Sequence, residues 1–261
     1  MSVDDTSVAT QRVAFLSDSG RADVESLALL RRIAAPLHAE LVVQFIESVE
    51  LLRAAALPFN REIGLISGAV RAMDVGAVER SLRRQADQLR QQLAAIANDL
   101  QLPWSFDISR GTLIEHVASQ VMTASVVVVG ARRQARLSVL SSSILGARTV
   151  LAMYEPGQVG ERAVATAWNL AQHKIENFKL LIVESSESVA ENLRKAIARG
   201  FGVAPQAMNT LRYTGPLREI GNQLFMSGVQ AVVMPMTRVS KKREELGALL
   251  RTLDRAVVLV A

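Results

Sequence analysis

The 261-residue chain has no cysteine. Disulfides, thiolate zinc sites and cysteine nucleophiles are therefore excluded. Aromatic residues make up only 4% of the chain, too few for a surface that stacks nucleic-acid bases. No uncharged apolar run approaches the ~18 residues that read as a membrane-spanning helix. The three histidines, His38, His116 and His173, fall in or at the end of helical patterns, without metal-ligand spacing. There is no P-loop lysine, no G-x-S-x-G elbow and no H-E-x-x-H. GFGVAP (200–205) holds a G-x-G, but it precedes a strand and lacks a third glycine. No nucleophile is paired with a base. The expectation is a protein without catalytic residues or a metal, and not an enzyme.

What is present is an ordinary globular balance. Hydrophobic residues are 49% of the chain and charged residues 21%, which excludes disordered and fibrous classes. The net charge of +5 raises the question of nucleic acid. The arginines, however, are spread along helices such as VERSLRRQADQLRQQLAAIANDL, interleaved with Gln, Glu and Asp. Nucleic-acid binding is not expected. The first residues, MSVDDTSVATQR, are polar and acidic and lack a signal-peptide pattern. A cytoplasmic protein without membrane contact is expected.

Apolar periodicity alternates between strand and helix, the pattern of parallel βαβ units. RVAFLSD (12–18) reads as a strand, residues 24–39 as a helix, and LVVQFIES (41–48) as a second strand. Residues 49–74 read as irregular, broken by Pro58, Gly64 and Gly68. A long helix is expected over about 76–100, with a stripe of Leu82, Leu89, Leu93, Ile96 and Leu100. A strand (104–109), a helix (112–123) and the strand SVVVVG (125–130) follow.

The second half repeats this plan. VLAMYEPG (150–157) matches VAFLSDSG (13–20) at an offset of 137, and the same offset lays Glu184 on Glu47 and Ser185 on Ser48. Later the offset is 104: GPLREIGNQLFMSG lies over GTLIEHVASQVMTA, with Glu219 on Glu115. One extra residue then brings AVVMPMTR over VVVVGARR. The strand TVLAMYE stands where it could close the first repeat or open the second. It is assigned to the second, leaving the first a strand short or the strand shared.

These features in this order resemble a tandem universal stress protein: FLSDSG ending a first strand in an acid, a long helix before a short third strand, SRGTLIEHVA opening the next helix, and VVVVGARR. The resemblance implies an α/β fold of two tandem Rossmann-like domains with parallel five-stranded sheets. Their expected extents are 1–147 and a shorter, more divergent 148–261. The family divides into ATP binders and non-binders, and its dimers form through the last strand.

ATP-binding members carry G-2x-G-9x-G-[ST] after the fourth strand, where glycines admit the phosphates to backbone amides. In VVVVGARRQARLSVLSSSILG, Gly130 fits the first position. Arg133 replaces the second glycine, Ser143 the third, and Ile144, which cannot donate, the hydroxyl. Each replacement adds a Cβ where close approach is needed. In the second repeat Pro235 replaces even the first glycine. Two features leave an anion site open: side-chain donors from Arg132, Arg133 and Arg136, and Ser141, Ser142 and Ser143 with a one-residue shift. Asp18 matches the acid near the base in ATP binders, and equally reads as a turn cap. The candidate ligand residues are thus Asp18, Gly130, Arg132, Arg133, Ser142 and Ser143.

The expected function is non-enzymatic stress response or regulation, through contacts between the domains and with a protein partner. No cofactor is expected. The alternative is an adenine-nucleotide sensor holding ATP or AMP in the first domain. A missing strand would leave an unpaired edge, and a homodimer is expected.

Overall fold

A computed structural model describes residues 11–19, 24–63, 68–131, 149–215, 219–220, 228–237 and 243–261. In chain order the elements of the first half are β1 (Arg12–Asp18), α1 (Val24–Leu37), β2 (Glu40–Ser48), α2 (Val49–Ala55), β3 (Arg61–Ile63), β4 (Val70–Ala72), α3 (Val75–Leu100), β5 (Trp104–Gly111), α4 (Leu113–Gln120) and β6 (Val126–Val129). The second half continues with β7 (Thr149–Tyr154), α5 (Gln158–Leu170), β8 (Phe178–Val183), α6 (Glu187–Gly200), β9 (Asn209–Tyr213), β10 (Val229–Pro235), α7 (Arg243–Thr252) and β11 (Ala256–Val260).

Nine strands form one sheet in the order β5-β2-β1-β6-β11-β10-β7-β8-β9. Every pairing is parallel except one: β11 runs antiparallel to β6. Central strands are β-branched and apolar because both faces are covered. Every residue of β6, β7 and β11 is buried. The outermost strands β5 and β9 are largely exposed. One face of the sheet packs on α1, α3, α5 and α6; the other packs on α4 and α7. The result is a three-layer α/β sandwich, the class the alternation predicts.

The two halves share one pairing register. Val13 faces Leu41, and Val150 faces Phe178, so both strands of the pair are displaced by the same 137 positions. Ser105 faces Val42, and Asn209 faces Lys179, which carries the offset of 104. Val126 faces Val13, while Ala231 faces Val150, an offset of 105. The extra residue is Gln230, at an irregularity in the β10 register between Val229 and Ala231, as a bulge accommodates one surplus residue.

Thr149–Tyr154 pairs with β8 and β10, and with neither β1 nor β6. The first half contributes four strands to the sheet. Its short edge is not open, however. At β6, where a fifth parallel strand would lie, the second half's last strand pairs Val257 to Val129 and Val260 to Val126.

Residues 49–74 are not simply irregular. Ser48 caps α2 by accepting from the Leu51 amide at 3.3 Å, and β3 and β4 form a small antiparallel hairpin. Strands of three residues are too short to show alternation in sequence. The long helix α3 begins on Asp74, whose carboxylate accepts from the Gly76 and Ala77 amides at 3.1 and 3.0 Å. Its buried stripe is Leu82, Ala86, Leu89, Leu93 and Ala97. Ile96 and Leu100 only flank the core.

Candidate functional site: a cleft beside Asp18

Open α/β sheets present their ligand crevices at the carboxyl ends of the strands. Asp18 closes β1 at that end. It lines a cleft of ≈ 360 Å³ together with Ser48, Glu50, Thr112, Gly247 and Arg251. Four structural pieces therefore converge: the ends of β1 and β2, the start of α2, the turn from β5 into α4, and α7. The last of these comes from the second half. The antiparallel β6–β11 pair is what brings α7 against α4 and over the first half's crevice.

The β5–α4 turn is built tightly. A side chain on Gly111 would begin 2.8 Å from His116 Nε2, so the imidazole covers the glycine. His116 Nε2 lies 3.5 Å from Ser109 Oγ. The Thr112 amide donates to Glu115 Oε2 at 3.1 Å, fixing the first turn of α4. Beside the cleft, the Arg110 guanidinium bridges three elements. Its Nε donates to Glu47 at 2.7 Å and its Nη2 to Glu79 at 3.2 Å. The hydrogen bond to Glu47, then the charges of Glu47 and Glu79, raise the Arg110 pKa above its ordinary value.

Gly130 lies on the other side of β1 from this cleft, at the end of β6. Its amide donates to the Leu16 carbonyl at 3.0 Å. The next amide, of Ala131, donates to the buried Ser26 Oγ at 2.8 Å. Both amides that open the loop are thus engaged inside the protein. Asp18 ends β1 and Gly130 follows β6, and the two do not share the cleft. Arg132, Arg133, Ser142 and Ser143 lie outside the described residues, as do Arg136, Ser141 and Ile144.

The end of β7 is the corresponding place in the second half. Thr237 Oγ1 donates to Glu155 Oε2 at 3.4 Å. Gly160, in the first turn of α5, sits so close to the end of β7 that a Cβ there would lie 1.8 Å from the Glu155 carbonyl oxygen. The helix start therefore rests directly on the strand end.

Sequence reasoning located Asp18 but missed Glu50, Thr112, Gly247 and Arg251. Nothing in a linear pattern places residue 251 beside residue 18. Ser26 did carry a signal: it is a lone hydroxyl in the apolar stretch VESLALL, and such a group needs a partner when buried. His38, just after α1, and His173, in the turn beyond α5, adopt the left-handed conformation at φ 46° and 57°. Among the described residues no group of His, Asp or Glu is arranged to hold a metal ion. No described helix is long and apolar enough to cross a membrane.

No family model matches the chain, and no curated protein matches it in sequence. Among solved structures, a universal stress protein from Archaeoglobus fulgidus is similar at 11% identity and a TM-score of 0.46, with 95% of each chain covered. The cytoplasmic domain of a prokaryotic cation chloride cotransporter is similar at 9% identity and a TM-score of 0.46, over 96% of this chain and 94% of the other. With TM-scores below 0.5, neither likeness adds to what the chain's own geometry says.

Proposed function

We propose that the protein is a non-enzymatic regulatory protein of the universal stress type, a tandem of two related units divided near residues 147 and 148. It acts through contacts between its halves and with a protein partner in the cytoplasm, with no bound cofactor. One observation carries this reading. The β6–β11 pair fuses the halves into a single sheet and sets α7 of one half over the crevice of the other. A change at the crevice would be felt at once at the junction. The engaged amides of Gly130 and Ala131 support a loop that no longer cradles phosphate. The test is mass spectrometry of the protein extracted after purification. Absence of adenine nucleotide is expected; near-stoichiometric ATP or AMP would sink the reading.

Asp18 favours a second reading, an adenine-nucleotide sensor. Asp18 and, from α7, Arg251 both line the open cleft. A ligand at a hundred times its dissociation constant would add about 2.7 kcal/mol of stability. Thermal unfolding with millimolar ATP, ADP or AMP separates the two readings. No shift in wild type or in Asp18→Ala removes the sensor.

The homodimer also stays a proposal, with its basis moved. The edge at β6 is filled by β11, so the outer strands β5 and β9 are the edges through which copies would pair. Sedimentation should show a dimer at micromolar concentration, and a monomer would remove this element.

A further inference from the structure

A groove of ≈ 270 Å³ lies between α5 and α6 in the second half. Tyr154, the last residue of β7, lines it while only 6% exposed. Its hydroxyl has no hydrogen-bond partner among the described residues, and a buried hydroxyl needs one. Glu161, from the first turn of α5, is the one charged side chain among the described residues that line the groove. It is exposed and has no ion pair among the described residues. Its full negative charge outweighs the partial positive charge of the helix start, about half a unit. Burial, and then the charge of Glu161, raise the Tyr154 pKa above its ordinary value, so the two groups are electrostatic neighbours.

The rest of the groove is apolar. Trp168 lies seven residues beyond Glu161, about 10 Å along α5. It stacks on Phe201 and so fixes that ring as a wall of the groove. Leu193 and Ile197 add aliphatic surface from α6. Gly200 also lines the groove, and a side chain there would enter open space. This glycine leaves the groove unfilled.

We propose that the groove binds a small alkylammonium ion, its ammonium at Tyr154 and Glu161 and its chain along Leu193, Ile197 and Phe201. The ammonium donates to the carboxylate in a charge-assisted bond and to the phenol oxygen. The chain leaves water for a preformed aliphatic and aromatic surface. A carboxylate head would meet Glu161 as a like charge, with no basic side chain among the described lining residues to offset it. The volume is just below the usual range for drug-sized ligands, so the occupant is small. The groove shares no residue with the cleft beside Asp18.

Isothermal titration of the full chain with hexylammonium, hexanol and hexanoate tests the proposal. Hexylammonium should bind saturably and hexanoate should not bind. Hexanol should bind about five-fold more weakly than hexylammonium, the surplus of a charge-assisted over a neutral hydrogen bond. Glu161→Gln should lower hexylammonium affinity about five-fold and leave hexanol unchanged. Gly200→Leu should abolish binding of both while thermal unfolding stays cooperative. Lack of saturable hexylammonium binding, equal affinity for hexylammonium and hexanol, unchanged affinity in Glu161→Gln, or binding that survives Gly200→Leu would each overturn it. If Gly200→Leu does not fold, Glu161→Lys decides: it should eliminate hexylammonium binding, and unchanged affinity refutes the site.

Discussion

The two halves solve one packing problem in different materials. In the first, the 26-residue α3 buries a ladder of Leu82, Leu89 and Leu93, with Ala86 and Ala97 between. In the second, the 14-residue α6 buries only Ala190 and Ala198 completely. Aromatic rings supply the missing volume. Trp168 stacks on Phe201 at 4.7 Å and meets Phe178 edge-on at 5.3 Å. By the offset of 137, Trp168 occupies the place of Arg31, which reaches across to Asp99 at 2.5 Å. A surface ion pair and an aromatic stack thus hold equivalent helices. The lesson is that strand register is preserved while the helical layer is rebuilt around the volume at hand.

At the strand ends a cleft opens beside Asp18 in the first half, and in the second α5 rests on Glu155.

This comparison can be broken at several points. Trp168→Ala should cost about 4 kcal/mol of stability, as large aromatic truncations do. Arg31→Ala, at the equivalent place, should cost under about 1 kcal/mol, being an exposed ion pair. Chemical denaturation of both variants checks the pair, and equal losses would contradict the asymmetry. Gly160→Ala should cost about 3 kcal/mol, because backbone must move to admit the methyl. Gly111→Ala should cost only about 1 kcal/mol, since the His116 ring can swing away. The same denaturation series reads both, and the smaller loss at Gly160 would show that α5 does not rest on β7.

A gentler test uses pH. Glu184 accepts from the Ser186 amide at 3.0 Å and from the Ser185 hydroxyl at 3.2 Å. The backbone bond from Ser186, then the hydroxyl of Ser185, hold its carboxyl below the usual carboxylate range. Its contribution is complete above that range and is lost as pH falls through the depressed value. Glu184→Gln should therefore narrow its stability gap to wild type on acidification. An NMR titration of Glu184 with an ordinary midpoint would remove the effect.

Much of the sheet was legible. The offsets of 137 and 104 and the single extra residue reappear as strand registers and a bulge at Gln230. These are local patterns, repeated, and a repeat keeps its pairing partners. The hairpin at Arg61–Ile63 and Val70–Ala72 was not legible, because three residues carry no period. Nor was the junction. Val126–Val129 and Ala256–Val260 are uniformly apolar runs, and such runs announce burial on both faces without naming a neighbour. Hence Asp18, which lines the cleft, could be named from the sequence, while Arg251, delivered by that junction, could not.

The junction is therefore the claim to test, and a chain without native cysteine makes the measurement clean. Val128 stands opposite Val258, and Val126 opposite Val260. Val128→Cys with Val258→Cys, and separately Val126→Cys with Val260→Cys, should yield an intrachain disulfide under mild oxidation in at least one pair. The mismatched pair Val128→Cys with Val260→Cys should not, because cysteines displaced along the strands lie beyond bonding reach. Peptide mass spectrometry identifies the bond. Intrachain linkage in an opposed pair alone supports one continuous sheet; linkage between chains, or in the mismatched pair, contradicts it.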